Sequence, residues 1–450
     1  MTDPVTNSYI HRCCSGDQRL LESTQQARSR FPKAFEASCG HRLLHRPMFI
    51  SESEIRGCAD DLTWLLDLMA SLPDRLFDGD FARYCAVVGI DPRSAALISR
   101  FPGGPQLYGR ADMYHDGTSL KLLEYNIDSG LGGTDRAEIS RLLLEVDAFR
   151  DFADEHKLSY VHTGERIAQT LRKVAEPVTG SDTPVVAFVE ADGGLAEYMH
   201  LVLSFQEMMR GLGLDVVIGE ISQVCSRDGR LFLHDKPIDV VLRYFSIDDI
   251  VSTPGGEEIV EPIFLAHEHG KAVLWTNMRS WQVFNKGCLA LLSDIRSREA
   301  FSTRERELID KVLPWTRSLT DDGADGKGII EYCRDNRVNL ILKPYGGYGG
   351  MGIITGWETS DREWRDALQA RGRSGGYVVQ HRVVPRPEPV VNPETRAVEN
   401  WSAVWDAFLT PDGYAGSHIR ALPAGDSAVI NMGAHGAART TGIFCYPDAG

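Results

Sequence analysis

One short segment of the chain combines a lysine with the type of turn that can hold phosphate. Lys343-Pro-Tyr-Gly-Gly-Tyr-Gly-Gly-Met-Gly352 places five glycines directly after an apolar run. Glycine lets backbone N–H groups approach an anion closely, and a lysine at a strand end can hold a phosphate as a point charge. The segment is not a Walker A loop, because no Gly-Lys-Ser/Thr follows, and no helix opens at once as in a dinucleotide fingerprint. It predicts a phosphate site, with a surface hairpin as the alternative.

A second segment places two carboxylates and an amide within what reads as a β-hairpin. Arg110-Ala-Asp112 lies in one strand-like run and Glu124-Tyr-Asn126 in the next, with the turn signal Asp116-Gly117 between them. Strand side chains alternate with period two, so Glu124 and Asn126 share a face, and the turn brings Asp112 within their reach. These oxygens suit Mg²⁺ with bound phosphates. The alternative is a solvated polar face of an edge hairpin.

Weaker signals come from polar residues near the ends of other apolar runs. Arg420 precedes Val429-Ile-Asn431, which reads as a strand that ends in a loop of small residues. An arginine, an amide and backbone N–H groups suit a phosphate or a carboxylate, although an ordinary strand and turn would look the same. Two further polar residues are Lys286, ahead of a helical stretch, and Gln380, at the end of a β run. Neither would be chosen as a ligand-binding residue in isolation.

The hydrophobic pattern predicts the elements that must position these residues. Residues 1–104 read as mostly helical, with apolar side chains at helical spacing between 53 and 72. The block at 181–284 reads as a parallel βαβ unit with further strands, because apolar runs are joined through a helix. Strands are predicted at 185–189, 214–218, 239–245, 272–275, 339–343, 377–380 and 403–409, and a Pro-rich loop at 385–399.

The composition is that of a globular protein of several domains. The 450 residues are 43% hydrophobic and 25% charged, and such a length usually divides into about two to four domains. The net charge of −15 disfavours nucleic acid as a partner, because an acidic field repels phosphate backbones. With no apolar run long enough for a bilayer and no signal-peptide pattern, we expect a cytoplasmic protein without a membrane partner. The nine scattered cysteines are expected to be structural thiols.

Taken together, the segments resemble the ATP-grasp enzymes, in the circularly permuted form of glutathionylspermidine synthase and, more distantly, of eukaryotic glutathione synthetase. The resemblance is closest over residues 108–128, where the family has an Arg-x-Asp strand, a short turn and a Leu-Leu-Glu-Tyr-Asn-x-Asp strand. In unpermuted ATP-grasp chains the Glu-x-Asn strand follows the glycine loop, whereas here it precedes that loop.

The resemblance implies an α/β fold, a circularly permuted ATP-grasp with a helical N-terminal region at 1–104. It further implies a metal-binding strand portion at 105–180, an inserted parallel βαβ substrate domain at 181–284 and a nucleotide-binding portion with a glycine-rich lid at 285–450.

The resemblance also implies a role for each candidate residue. Asp112, Glu124 and Asn126 would be ligands of Mg²⁺. Arg110 and Arg420 would be catalytic, in contact with the transferring phosphate or acyl phosphate. ATP would be held by Lys286, Lys343, Gly346, Gly347, Gly349, Gly350, Gln380 and Asn431. Of these, the lysines would bind phosphates, the glycines would form the lid, and Gln380 would lie at the adenine edge of a linker over 377–385.

The chain departs from the family pattern at two places near these residues. Asn126 is followed by Ile-Asp-Ser-Gly-Leu-Gly-Gly133, where the family usually has x-Asp-Thr-Pro-Thr. The linker has Gln380-His381, where the family usually has Gln-Glu. The nucleotide chemistry therefore carries over better than the substrate does.

The implied function is that of an ATP-dependent carboxylate–amine ligase, an enzyme that forms an amide bond and releases ADP and phosphate. A carboxylate is a poor electrophile, and phosphoryl transfer turns it into an acyl phosphate that an amine can attack. Two alternatives stay open: an ATP-grasp enzyme with another acceptor, as in a carrier-protein thiol ligase or a small-molecule kinase, and a non-catalytic nucleotide-binding module. The expected partners are a small-molecule carboxylate and amine, and the apolar block at 185–275 could also mediate a homodimer.

Overall fold

The N-terminal region is a set of short helices that also supplies one strand to the main sheet. A computed structural model describes residues 3–180, 182–320, 324–347, 349–427, 429–433 and 435–448, with side chains from 328 onward in the helix that begins at 324. The helices are α1 Pro4–Cys14, α2 Gln18–Leu21, α3 Ser23–Arg28, α4 Lys33–Cys39, α5 Glu52–Ala70, α6 Leu72–Phe77, α7 Phe81–Val87 and α8 Pro92–Ser99, and the strand is β1 Met48–Ser51. The predicted apolar stripe is confirmed on α5, where Ile55, Leu62 and Leu66 are buried.

Seven strands from the two ends of the chain form the main sheet, in the order β1–β18–β17–β16–β2–β3 with β15 beside β16. They include β2 Gly109–His115, β3 Leu120–Ile127, β15 Glu388–Val391, β16 Val398–Thr410, β17 Gly413–Pro423 and β18 Arg439–Tyr446. The predicted hairpin is confirmed, and β2 pairs antiparallel with β16 from Gly109–Leu409 to Tyr114–Val404. The early hairpin therefore lies beside strands from the far end of the sequence.

Two sequence expectations in this region are wrong. The run 429–431 is a loop and not a strand, and Ile430 packs its side chain into an apolar cluster with Leu422 instead of joining the sheet. The stretch 385–399, expected to be a loop, contains β15. Pro389 is tolerated there because β15 pairs, among the described residues, only with β16 and so lies at an edge, where a missing N–H costs little.

A four-stranded parallel sheet, in the order β10–β9–β4–β5, forms the second body of the fold. Its strands are β4 Val185–Glu190, β5 Asp215–Glu220, β9 Val240–Arg243 and β10 Val273–Trp275, and a small antiparallel sheet adds β6 Val224–Arg227, β7 Arg230–Leu233 and β8 Lys236–Pro237. The helices of this body are α11 Thr163–Thr179, α12 Leu195–Gly211, α13 Ile247–Ser252 and α14 Gly256–Glu268, whereas the preceding helices α9 Ala137–Leu143 and α10 Asp147–Glu155 pack with the N-terminal helices and β18. The predicted βαβ unit is confirmed as β4–α12–β5, with Phe205 and Met209 of α12 packed against Phe188 of the sheet.

A second four-stranded sheet, β11–β14–β12–β13, carries the glycine-rich turn. Its strands are β11 Thr316–Ser318, β12 Leu340–Pro344, β13 Ile354–Thr355 and β14 Tyr377–His381, and the helices of this part are α15 Trp281–Phe284, α16 Gly287–Ser293, α17 Thr303–Val312, α18 Ala324–Asp335 and α19 Asp361–Ser374. Leu340, Leu342 and Val379 form a small core with Trp364 and Leu368 of α19. The predicted strands at 339–343 and 377–380 are thus confirmed.

Two further findings concern the whole chain. Within the part of the chain that the structure describes, no helix is both long and apolar enough to cross a membrane. All nine cysteines are free thiols, seven of them with raised pKa values because they are buried.

Candidate functional site

Four candidate residues lie on one face of the β2–β3 hairpin. The register pairs Asp112 with Glu124 and Arg110 with Asn126. Because side chains alternate with period two, all four project from the same side of the main sheet. The sequence-based expectation that Asp112 lies within reach of the other two oxygen donors is confirmed.

A local turn determines which hairpin side chains reach this face. The Oδ1 atom of Asp116 accepts hydrogen bonds from the backbone N–H groups of Thr118 (2.8 Å) and Ser119 (2.9 Å), and Gly117 has a φ of 99°. Aspartate satisfies the turn locally, and glycine adopts the positive φ without a steric penalty. A slip of one residue would turn every side chain of the strand to the other face, so this turn fixes the chemistry of the hairpin.

A β-bulge connects the hairpin to the sheet that carries the glycine-rich turn. The register shifts between Asp112 and Met113, so that β3 has one extra residue, Leu123. The Leu123 carbonyl accepts a hydrogen bond from Lys343 Nζ at 2.9 Å. The early hairpin and the late lysine are therefore in direct contact.

Lys343 ends β12 as an almost fully buried cation. Its Nζ also donates to Gln380 Oε1 at 2.8 Å, and the residue is 6% exposed. Burial lowers the pKa of Lys343 to about 8, although the charge of Glu124 favours the protonated form and that of Lys286 opposes it. A lysine with neutral hydrogen-bond acceptors and an incomplete counter-charge favours the approach of an anion.

Lys286, the residue directly before α16, contacts the same hairpin. Its Nζ lies 2.7 Å from Glu124 Oε1, and its backbone N–H donates to the Tyr345 carbonyl at 2.9 Å, directly after β12. Lys286 is 6% exposed, so its pairing with Glu124 is shielded from solvent. The two lysines and the hairpin carboxylate thus form one electrostatic group, which we call the lysine end of the site.

Gln380 belongs to the lysine end through its own hydrogen bonds to protein, in addition to the position at the adenine edge that the resemblance implies. Its Oε1 accepts from Lys343, its Nε2 donates to Thr316 Oγ1 at 3.1 Å, and the residue is 1% exposed. Both ends of the amide are therefore bonded to protein. Gln380 can act on a ligand through Lys343, whose position it fixes, and its contact with adenine stays a prediction.

The arginines form the other end of the site, which we call the arginine end. Arg110 Nε and Nη2 donate to the two oxygens of Asp112 at 2.6 and 3.0 Å. Arg420 Nη2 donates to Asp112 Oδ2 at 2.7 Å, and Arg420 also makes a bidentate pair with Asp406, with both distances 2.7 Å. Asp406 in turn lies 3.2 Å from His418 Nε2. The arginine end therefore contains two guanidinium groups and two carboxylates.

The charges at the arginine end alter the pKa values of its carboxyl groups in opposite directions. Burial would raise the pKa of Asp112, but the charges and hydrogen bonds of Arg110 and Arg420 hold it below its ordinary value. Burial, assisted by the charge of Asp112, raises the pKa of Asp406. Asp112 is therefore the more firmly ionised of the two.

The glycine-rich turn follows β12 and lies against the loop between β17 and β18. The predicted glycines all belong to it: Gly346, Gly347, Gly349 and Gly350. Gly347, Gly349 and Gly350 have positive φ values of 93°, 67° and 79°. Asn431 Nδ2 donates to the Gly349 carbonyl at 2.7 Å, and Arg420 Nη1 donates to the Ile430 carbonyl of the same loop at 3.3 Å. Tyr348 and Ala434, which belong to the predicted motifs, lie outside the described residues.

The oxygen donors fit a magnesium ion only in combination with a ligand. Mg²⁺ in nucleotide sites is usually held by one or two carboxylates, with phosphates and waters completing six positions. Asp112, Glu124 and Asn126 match that pattern in chemistry and share a face. Among the described residues, no group of three or more His, Cys, Asp and Glu is arranged to hold a metal alone. The set is therefore too sparse for a structural metal and adequate for a metal that arrives with phosphate.

An apolar patch adjoins the polar group on the same face of the sheet. Tyr114, two positions from Asp112, packs with Val404 and Leu422, and Leu123 and Val383 complete the cluster. The patch lies where the hairpin meets the end of β14, so it borders both sheets that carry candidate residues. Tyr114, Val404 and Leu422 are buried, so this cluster supports the polar residues beside it from within the core.

Asp406 and His418 are site residues that sequence reasoning missed. Asp406 is the single charged residue in the apolar run Ala403-Val-Trp-Asp-Ala-Phe-Leu409, and it is completely buried. A lone carboxylate inside an apolar strand requires a cationic partner, so this pattern could have pointed to Asp406. Nothing in the sequence singles out His418 in the same way, because its partner comes from a neighbouring strand.

The comparisons with known proteins bear on the fold. No family model and no curated protein matches the chain. The chain is similar to a solved glutathione synthetase-like effector from Globodera pallida, with 13% identity and a TM-score of 0.57, over 95% of this chain and 97% of that chain. The likeness extends over nearly the whole of both chains, and the two proteins share a mixed α/β fold.

Two further solved structures are more remote. One is a putative gamma-glutamylcysteine synthetase from Methylobacillus flagellatus KT, with 14% identity and a TM-score of 0.44, over 88% of this chain and 89% of that chain. The other is a D-alanyl-alanine synthetase A from Vibrio cholerae O1 biovar eltor, with 12% identity and a TM-score of 0.32, over 58% of this chain and 74% of that chain.

Proposed function

We propose that the chain is an ATP-dependent ligase of the ATP-grasp type, in the circularly permuted form, that joins a carboxylate to an amine through an acyl phosphate. The observation that carries the proposal is the contact between Lys343 and the hairpin, together with the pairing of Lys286 and Glu124. Two buried lysines from separate elements contact the same hairpin, Lys343 through the Leu123 carbonyl and Lys286 through Glu124. The fold likeness to a glutathione synthetase-like effector adds to this support.

In this proposal the lysine end binds the phosphates of ATP. Lys286 and Lys343 act as point charges, and the backbone of the glycine-rich turn covers the phosphates as a lid. The base lies beside the strand that contains Gln380. A closed lid excludes water, which protects an acyl phosphate from hydrolysis.

The arginine end orients the carboxylate and neutralises the transferring phosphoryl group. ATP supplies the phosphoryl group, and Mg²⁺, when bound by Asp112, Glu124 and Asn126, screens the phosphate charge. Arg110 and Arg420 present planar donors to the oxygens of the substrate, which fixes its orientation as well as its charge. The transfer needs positioning and charge neutralisation more than covalent participation of the protein, and the residues of the site supply both.

The test is whether ADP release depends on both a carboxylate and an amine. We expect a screen of amino acids and other amines to yield at least one pair that releases ADP, with the amide identified by mass. Glu124→Ala and Lys343→Ala should each abolish this release, whereas Lys121→Ala, on the same hairpin but bonded to the Lys311 carbonyl, should leave it intact. Retained ADP release in both site variants would overturn the assignment of the site.

The product distinguishes the remaining possibilities. A thioester or a stable phosphate would keep the ATP site but change the acceptor. Calorimetry that shows Mg-ATP binding without any turnover would indicate a non-catalytic module, and calorimetry that shows no binding would reject the nucleotide site itself.

A further inference from the structure

A buried aspartate and histidine lie next to Arg420, and no predicted role includes them. Asp406 and His418 are directly opposite each other in the register of β16 and β17, and Asp406 is also opposite Asp112 in β2. Directly opposed residues of antiparallel strands have Cβ atoms about 5 Å apart, so the three side chains form a row across the sheet. Asp406 is 0% exposed and His418 is 3% exposed.

We propose that Asp406 and His418 are positioning residues that hold the guanidinium group of Arg420 in place at the arginine end of the site. This inference rests on the proposed ligase function. Asp406 receives both Nε and Nη2 of Arg420 at 2.7 Å. Two parallel hydrogen bonds fix the plane of a guanidinium group as well as its distance. Asp112 accepts a third hydrogen bond from Nη2 at 2.7 Å, so Arg420 has little freedom to rotate.

His418 keeps Asp406 in the orientation that this pairing requires. Its Nε2 lies 3.2 Å from Asp406 Oδ2, the oxygen that also accepts from Arg420 Nε. Burial and the nearby arginine charges hold the pKa of His418 well below its ordinary value, so the ring is neutral. A neutral imidazole carries one N–H, and we place it on Nε2, the ring nitrogen that lies next to Asp406.

A neutral donor suits the charge balance of the arginine end. The charges of Arg110, Arg420, Arg136 and Asp112 act on the imidazole, and Asp406 lies next to it. A protonated histidine would add a positive charge beside these arginines. A neutral histidine leaves the two arginines matched by Asp112 and Asp406.

The loop that departs from the family pattern holds the imidazole in place. A Cβ atom at Gly133 would lie 2.5 Å from His418 Cε1, and Gly133 has a φ of 85°, so the close approach requires glycine. The carbonyl of Gly132 in the same loop accepts from Arg110 Nη1 at 2.9 Å. On another side, the ring of Phe408 is stacked with the imidazole at 5.6 Å between centroids. The histidine therefore has a fixed orientation toward Asp406.

The experiment compares two variants of His418 with a matched control. His418→Leu removes the N–H at similar volume, whereas His418→Gln restores a donor. We expect His418→Leu to lower kcat for ADP release by about 10-fold to 100-fold with KM for ATP nearly unchanged, because it removes the polar contact that orients Asp406 toward Arg420. His418→Gln should recover most of this loss. His162→Leu, which breaks a similar buried contact of 2.8 Å with Glu138 away from the site, should leave kcat unchanged.

A double-mutant cycle separates positioning from a general structural role. If His418 acts through Arg420, His418→Leu should have less than about a 2-fold further effect on kcat in an Arg420→Ala background, because coupled residues are not additive. Independent, multiplicative losses in the two variants would overturn the positioning role.

A spectroscopic readout distinguishes failure of this inference from failure of the ligase function. The Arg420 Nε–H signal in a nitrogen-15 spectrum, assigned by its loss in Arg420→Lys, should exchange slowly with solvent in the wild-type protein and at least about 10-fold faster in His418→Leu. If His418→Leu does not fold, Asp406→Asn carries the same expectation. Unchanged exchange in a folded variant would overturn the inference, even if the wild-type protein proved to have no ligase activity.

Discussion

The lysine end and the arginine end of the candidate site hold their cations in different ways. At the lysine end, Lys286 and Lys343 share one nearby carboxylate, Glu124, and Lys343 otherwise donates to neutral oxygens. At the arginine end, Arg110 and Arg420 face two carboxylates. The lysine end therefore has an excess of positive charge that can attract an anion.

The arginine end, by contrast, is balanced in charge and fixed in geometry. Under the proposed function, this difference corresponds to a division of tasks, in which the lysine end would supply affinity for the triphosphate and the arginine end would supply orientation during transfer. Substitutions at the two ends should therefore change different quantities.

The largest effect should follow from removing one arginine. Arg420→Met leaves Asp112 and Asp406 facing each other without their shared cation, so we expect the free energy of unfolding to fall by about 3–5 kcal/mol. Thermal unfolding followed by circular dichroism measures this loss. Adding Asp406→Asn should restore part of the stability, because it removes the carboxylate that has lost its bidentate partner, whereas Asp112 keeps its pair with Arg110. An Arg420→Met protein as stable as the wild type would break the proposed contrast between the two ends.

Removing the buried lysine should lower the affinity for Mg-ATP and leave the free energy of unfolding almost unchanged. Lys343→Met replaces a desolvated cation with an apolar side chain of similar length, so we expect the free energy of unfolding to change by less than about 1 kcal/mol. The affinity for Mg-ATP should fall by about 10-fold to 100-fold, because a hydrogen bond to a charged group is lost. Calorimetric titration measures the affinity, with Lys121→Met as the control. Loss of stability with unchanged affinity would reverse the roles that we assign.

The pH dependence of ATP binding should report Lys343. Its pKa of about 8 means that the free protein loses this charge as the pH rises through 8, so affinity for Mg-ATP should fall between pH 7.5 and 9 by up to about 10-fold per pH unit. The stability of the fold should change in the opposite sense. A lysine with a lowered pKa binds fewer protons in the folded state than in the unfolded state. The contribution of Lys343 to the free energy of unfolding should therefore rise as the pH increases from about 8 toward the ordinary pKa of a lysine.

Two variants sharpen this measurement. Gln380→Glu places a carboxylate beside Lys343 Nζ, so the fall in affinity should move to higher pH. Lys343→Met should bind weakly with no pH step near 8. A step that persists in Lys343→Met would assign the titration to another group.

The smallest effect should come from the contact that joins the glycine-rich turn to the neighbouring loop. Asn431→Ala removes the hydrogen bond to the Gly349 carbonyl, an exposed contact, so we expect KM for ATP to rise by only about 2-fold to 5-fold. Asn336→Ala removes an exposed side-chain hydrogen bond of similar type, to the Tyr332 carbonyl directly after the end of α18, and should leave KM unchanged. A loss as large as that of Lys343→Met would place Asn431 in the lysine end itself.

Local patterns in the sequence were sufficient to predict the parts of the site that local structure controls. The turn at Asp116-Gly117 and the period of two placed Asp112 and Glu124 on one face, as observed. The apolar run before Lys343 correctly predicted a strand that delivers this lysine. Each of these features depends on residues close together in the chain.

The features that sequence reasoning missed depend on register between distant strands. Asp406 meets Asp112 only because β16 pairs with β2, and the bulge at Leu123 became visible only in that sheet. The apolar run at 429–431 has the composition of a strand, but Ile430 is buried in an apolar cluster and does not pair with a neighbouring strand. The hydrogen bonds of Gln380 to Lys343 and Thr316 were also missed, because they depend on the pairing of three strands.

The most direct test of the central claim is a crystal structure of the chain with Mg²⁺ and a non-hydrolysable ATP analogue. The account predicts a triphosphate between Lys286 and Lys343, with the metal ion held by oxygens of Asp112, Glu124 and Asn126. A nucleotide bound elsewhere on the protein, with the pair of Lys286 and Glu124 undisturbed, would contradict it.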